Sequence, residues 1–196
     1  LRWNPSTTMK CAIFEENGNR HDMQRVLGHV TLQNAVRRMG DFVLTSCAAN
    51  ALQPYRQNDN GWDQGQVFFT PSQVWGMPPY YAQQMAAAHH RPLTVGCGVE
   101  GADGVLDVTA TRSREAGSVV LHIANTGAEP LRVGLRVDGM GKVSQARMVS
   151  LSGDLDAVNT PEEPRRIAPV GRELPAWAAQ TVDIAPYSYT IVVLDE

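Results

Sequence analysis

Lys10–Asn17 reads KCAIFEEN: a short apolar run, Cys11-Ala12-Ile13-Phe14, that ends on two adjacent carboxylates, Glu15 and Glu16. The turn-formers Asn17-Gly18-Asn19 follow at once. A buried parallel strand reads as a near-continuous apolar run, and Gly/Asn punctuation marks its exit. Downstream, Met23, Val26, Leu27 and Val30 fall at i, i+3, i+4 and i+7, the spacing of one apolar helix face. Asn19 is placed to cap this helix and Asp22 to complement its dipole. Arg37 and Arg38 fall in the last turn, and Gly40 is its stop. Phe42–Ala48, FVLTSCA, reads as a second buried strand. Strand, helix, strand at this spacing is a βαβ unit, which requires parallel pairing.

The pattern gives the acidic pair its interest. In an α/β barrel the active site lies at the carboxyl ends of the strands, so a carboxylate there is a catalytic candidate. The plain alternative is a solvated start of a loop. The second strand also ends in amides, Asn50 and then Gln53. Amides at that place suit sugar hydroxyls, although Gln53 reads better as a turn residue. The polar loop Tyr55–Gly61 then leads to Trp62, an apolar platform for a sugar face or a packed seam residue. Val67–Phe69 reads as a short strand. Thr70-Pro71-Ser72 opens a helical stretch that Pro78-Pro79 interrupts and Tyr80–Ala88 resumes, which predicts two short helices.

From residue 91 the character changes. Val105–Thr111, Ser118–Asn125, Leu131–Asp138 and Lys142–Leu151 are strand-like, separated by glycine-bearing turns. The alternation in LDVTAT and LRVGLRV predicts a sheet with one wet face, and strands at this spacing predict an antiparallel sandwich. Asn159–Val170, NTPEEPRRIAPV, reads as a long loop, and YTIVVL at Tyr189–Leu194 as a closing strand.

Composition narrows the function classes. The 196 residues carry a net charge of −3 with no basic stripe, which argues against nucleic acid, and no apolar run is long enough to cross a bilayer. Cys11, Cys47 and Cys97 lack CxxC spacing, which argues against a disulfide framework or zinc site and points to a reducing, cytoplasmic setting. His89-His90 reads as a surface helix end rather than a metal site; His21 is placed to approach the acidic pair, and His29 reads as solvated or satisfied. Without GxSxG, P-loop or GxGxxG, serine-hydrolase and nucleotide-cofactor readings have no motif behind them.

Four stretches, FEENGNRHDMQRVLGHV, SCAANALQPYRQNDNGWDQGQVFFTPSQVWGMPPYYAQQMA, NTPEEP and PYSYTIVVL, resemble in order and spacing the C-terminal portion of family 51 glycoside hydrolases, the α-L-arabinofuranosidases. The resemblance implies an α/β plus all-β fold: residues 1–90 as the last two strand–helix units of a (β/α)8 barrel, residues 91–196 as a jelly-roll β-sandwich. It also implies a retaining exo-hydrolase that needs no cofactor or metal and acts on arabinose-containing oligo- and polysaccharides, homo-oligomeric in its full-length form. The family's nucleophile is a Glu preceded by Asp or Ser and followed by an aromatic. That pattern maps onto Glu16, with Asn17 in the aromatic's place, and adjacent strand residues face opposite ways, so only one of Glu15 and Glu16 can face the barrel axis. Asn17, Asn50 and Trp62 are the accompanying substrate-binding candidates. The family's acid/base Glu lies in an Asn-Glu motif absent from this sequence. The chain therefore reads as an inactive fragment, entered midway, whose uncovered barrel faces favour self-association.

Overall fold

A computed structural model describes residues 6–57, 63–102, 104–115, 117–175 and 181–196. It is mostly β with few helices. The leading unit is as the apolar spacing dictates: β1 (Cys11–Glu16), α1 (Met23–Arg38) and β2 (Val43–Ala48), with β1 and β2 parallel. The register slips between Ile13 and Glu16, where β1 carries more residues than the facing stretch of β2. The helix begins later than the sequence suggests. Asp22, not Asn19, is the N-cap, its Oδ1 accepting from the Arg25 amide at 3.1 Å. Gly40 follows the helix with φ +59°, a left-handed turn that a Cβ would disfavour.

A small three-stranded sheet comes next. β3 (Leu52–Pro54) pairs parallel with β4 (Val67–Phe69), and β4 pairs antiparallel with β5 (Val74–Gly76). The helical stretch expected from Thr70 is instead a tight turn, Thr70 N–H to Gln73 O at 2.8 Å, and the strand β5. A single helix, α2 (Pro78–Ala88), follows. Pro78 and Pro79 start it rather than interrupt it, because the first turn has no use for the missing N–H groups.

The remainder is β6 (Leu93–Val95), β7 (Leu106–Arg112), β8 (Ser118–Asn125), β9 (Leu131–Gly134), β10 (Gln145–Ser152), β11 (Val170–Leu174), β12 (Thr181–Ile184) and β13 (Ser188–Asp195). Six of them form an antiparallel sheet in the order β11-β10-β13-β8-β7-β6, and β9 pairs with β12. Asn159–Pro169 is irregular, as its prolines require. It is nonetheless fixed, because the buried Asn159 side chain donates to Gly76 O and Ile167 O and accepts from Ile167 N–H.

The expected wet face is kept by β9 and β12, where Arg132 and Asp183 are exposed, and is absent at the centre of the six-stranded sheet. One face of the six-stranded sheet (Val120, Ala124, Leu151, Tyr189, Ile191, Val193) packs on Met23, Val26 and Val30 of α1 and on Tyr81, Ala82 and Met85 of α2. The other face (Leu121, Ile123, Met148, Val192, Leu194) packs on Val182 and Ile184 of β12. Strand β13 is therefore buried on both sides, and so are Thr109 and Thr111, which alternation along β7 places in water, together with His122 and Thr190. Thr109 Oγ1 donates to Asn34 Oδ1 of α1 at 2.8 Å, and His122 Nδ1 lies 2.7 Å from Tyr189 Oη. The helices and the sheet thus share one core across residue 91. The first N–H groups of α1 add to it, Gln24 N–H donating to Leu155 O at 2.8 Å.

Candidate functional site

The chemistry-bearing side chains gather where β1 and β2 end. Glu16 is 5% exposed and turned onto α1: its Oε2 is 2.9 Å from His29 Nδ1. His29 Nε2 in turn is 2.7 Å from Arg25 Nε. An arginine Nε–H only donates, so Nε2 must be the imidazole's acceptor and Nδ1–H its donor. The order is then Arg25 to His29 to Glu16, with a neutral imidazole between cation and carboxylate. Burial pulls the Arg25 pKa down, and the charges of Glu16 and Asp22 pull it back up.

Arg25 does more than support His29. Its Nη1 donates to Arg20 O and Gln64 O, and its Nη2 to Glu16 O and Ala49 O. With Nε on His29, all five guanidinium N–H groups are used. Three separate backbone segments are pinned at one point: the exit of β1, the exit of β2 and the approach to β4. Gly18 makes room for this, since a Cβ there would sit 3.0 Å from Arg25 Nε.

Glu15 has the opposite environment. It is exposed, and its Oε2 accepts from Asn17 Nδ2 at 3.1 Å. Asn17 Oδ1 accepts from Gln64 Nε2 at 3.2 Å, and Gln64 Oε1 from Gly18 N–H at 2.8 Å. Of the sequence's candidates, Glu16 and Asn17 come together here, Glu16 facing the helix rather than open space. Asn50, at the exit of β2, donates to Leu52 O, and its buried Oδ1 has no partner among the described residues. Trp62 lies outside the described residues.

His21 does not reach the acidic pair. Its ring packs on Phe68 at 4.9 Å, with Nδ1 3.1 Å from Asp63 Oδ1. Gln53 is not a turn residue but a buried bridge, donating to Asp63 and accepting from Gly65 N–H. His89 closes α2 with Nδ1 on Met85 O. Arg25, His29 and Gln64 are the site residues that sequence reasoning missed. The one available signal was His29 at i+4 from Arg25, a spacing that brings helical side chains together.

The chain is thus a mostly β domain joined to a parallel βαβ unit, with carboxylates at the strand exit. A family model, the α-L-arabinofuranosidase C-terminal domain, matches residues 6–188, and the chain belongs to that family. Solved structures share the fold. Arabinose-bound MgGH51 α-L-arabinofuranosidase superposes with a TM-score of 0.81 at 21% identity, covering 90% of this chain and 28% of that one. The Thermotoga maritima α-L-arabinofuranosidase arabinose complex gives 0.74 at 19%, covering 89% and 39%, and the thermostable GH51 enzyme of Thermotoga petrophila gives 0.81 at 18%, covering 95% and 43%. The chain thus spans less than half the length of these enzymes. No curated protein sequence matches it.

Proposed function

We propose that the chain is the C-terminal part of a retaining, exo-acting α-L-arabinofuranosidase, that β1–α1–β2 together with α2 forms the last two strand–helix units of its (β/α)8 barrel, and that Glu15 is the nucleophile. The observation that carries this is the unequal treatment of the acidic pair. Glu16, to which the family pattern was first mapped, has its carboxylate against His29 and its carbonyl on Arg25. It is spoken for on the side where the helix lies. Glu15 is the exposed carboxylate at the same strand exit. With the pattern moved by one residue, Phe14 precedes the nucleophile, and the place of the following aromatic falls to Glu16, the buried member.

In the complete enzyme the Glu15 carboxylate attacks the anomeric carbon as the bond to the leaving oxygen breaks. A second carboxyl group, from about 5–5.5 Å away, gives its proton to that oxygen and later takes one from the incoming water. The second group belongs to the rest of the barrel. Asn50 at this rim and Trp62, which lies outside the described residues, are the proposed sugar contacts, and arabinose-bearing glycans the proposed substrates.

A mechanism-based 2-fluoro-arabinofuranoside tests the assignment in the complete enzyme. The label is expected on the peptide containing Glu15, at that residue. Glu15→Ala should lose turnover and regain it with azide, giving the glycosyl azide of inverted configuration. A label on Glu16 would overturn the assignment.

A glycan-binding role for the sandwich has less behind it. Of the three aromatic residues after residue 91, Tyr189 is fully buried, Tyr187 is half-buried, and Trp177 lies outside the described residues. The groove of about 1000 Å³ between the six-stranded sheet and β9 is lined by aliphatic and polar residues, with no aromatic among them.

A further inference from the structure

We propose that Asn17 and Gln64 are positioning residues that aim Glu15 through a one-way hydrogen-bond chain; the proposal rests on Glu15 being the nucleophile. The direction of the chain follows from its first link. A backbone N–H only donates, so the Gly18 amide, 2.8 Å from Gln64, must face that side chain's oxygen. The Gln64 amide nitrogen is thereby turned to Asn17, which meets it with Oδ1 at 3.2 Å. Only the Asn17 nitrogen is then left for Glu15, and it lies 3.1 Å from Oε2. Neither amide can flip without placing oxygen against oxygen or nitrogen against an N–H.

Gln64 is well suited to the role. It is 3% exposed and comes from the approach to β4, far along the chain, where its carbonyl is held by Arg25. The exposed Asn17 would rotate freely without it. A carboxylate oxygen that accepts a fixed donor has one lone pair committed and its plane set, so the second oxygen is presented in a defined direction. Misplacing a reacting atom by about 1 Å can cost about 100-fold in rate. Glu15 sits where such an error would matter.

Gln64→Glu is the sharp test, because it swaps the donating NH₂ of the side chain for an oxygen with little change of shape. Asn17 would then turn its own NH₂ to residue 64 and its oxygen to Glu15. In the complete enzyme we expect kcat on an aryl arabinofuranoside to fall about 10- to 100-fold, with KM changed by less than about threefold. Asn17→Ala should have an effect of similar size. Gln64→Met, which removes both links, should lower kcat in the wild-type background but add nothing to Asn17→Ala, since Gln64 acts through Asn17.

Additive losses, or an unchanged kcat in Gln64→Glu, would overturn the proposal. Thermal melts of each variant separate misfolding from misaiming; if Gln64→Glu melts early, the cycle with Gln64→Met decides. Failure of the underlying reading looks different: the fluoro-sugar label would then be absent from Glu15 in the unsubstituted enzyme.

Discussion

Two strand pairs in this molecule have nearly the same sequence character and opposite fates. Strands β13 and β8 are apolar runs that lie side by side in the six-stranded sheet, covered on one face by helices and on the other by β9 and β12. Strands β1 and β2 are apolar runs that lie side by side and, among the described residues, have α1 over one face. Phe14 is 77% exposed and Leu44 68%, whereas Ile191 and Val192 are fully buried. The difference teaches that the first pair belongs to a core this chain completes by itself, while the second presents a surface made for something else. In the proposed enzyme that is the rest of the barrel, and the catalytic carboxylate sits on the uncovered pair.

Matched truncations are the strongest way to break the comparison. Ile191→Ala removes a fully buried side chain from between α1, α2 and the sheet. Such substitutions cost about 2–5 kcal/mol, a transfer term plus the cavity left behind. Urea unfolding monitored by circular dichroism should show that loss, and a change below about 1 kcal/mol would mean that the helices do not close the core as described.

The next effect concerns pH. His122 lies at the centre of the sheet, stacked on Tyr189, and burial first, then the nearby charges of Arg37, His89 and His90, push its pKa down to about 2. Burial also pushes the Tyr189 pKa up to about 12. The unfolded chain takes up a proton at His122 near its ordinary 6.5, and the folded chain resists until about 2. Stability from this group is complete above pH 6.5 and is lost as the pH falls through that window, with a slope approaching about 1.4 kcal/mol per pH unit. Between pH 7 and pH 5 the loss is about 2 kcal/mol. His122→Gln keeps a polar partner for Tyr189 and should flatten that part of the unfolding free energy against pH; an unaltered profile would show that His122 is not held neutral.

How legible this was differs by residue, for physical reasons. The βαβ unit was readable because helix and strand periods are local and the apolar positions kept to them. The wet face was misread along β7, where alternation is real but Thr109 is covered by Asn34 of α1, 75 residues away in sequence. Beyond the i+4 spacing to His29, Arg25 left no local trace, since four of its five bonds go to backbone carbonyls, which any residue supplies, and Gln64 left none because its partners lie 46 and 47 residues away. Glu15 and Glu16 acquire opposite environments beside a register slip between Ile13 and Glu16, and sequence spacing does not show a slip. Asp22 was noticed as an acid near a helix start but not as the cap, because Asn19 offered the same chemistry three residues earlier.

That cap gives a smaller effect. Asp22→Ala removes the acceptor of the Arg25 amide and the partner of Arg20, 2.8 Å away. An N-cap loss of this kind costs about 1 kcal/mol, to be read as a lower urea midpoint with an unchanged slope. Asp22→Asn keeps an acceptor for the amide and should recover most of it.

The smallest expected effect on stability is the most informative about the comparison. Phe14→Ser alters a side chain that is already mostly in water, so the unfolding free energy should move by less than about 0.5 kcal/mol. Self-association is another matter. Phe14, Leu44 and Met9 are 77%, 68% and 76% exposed along and beside one short ladder with unpaired edges. Apolar surface rimmed by open strand edges is a template for a second copy. The isolated chain should therefore associate in light scattering at concentrations where the Phe14→Ser, Leu44→Thr double variant stays monomeric. If both behave alike, the uncovered pair is not a docking face. The contrast between the closed core and the open ladder would then be one of exposure only.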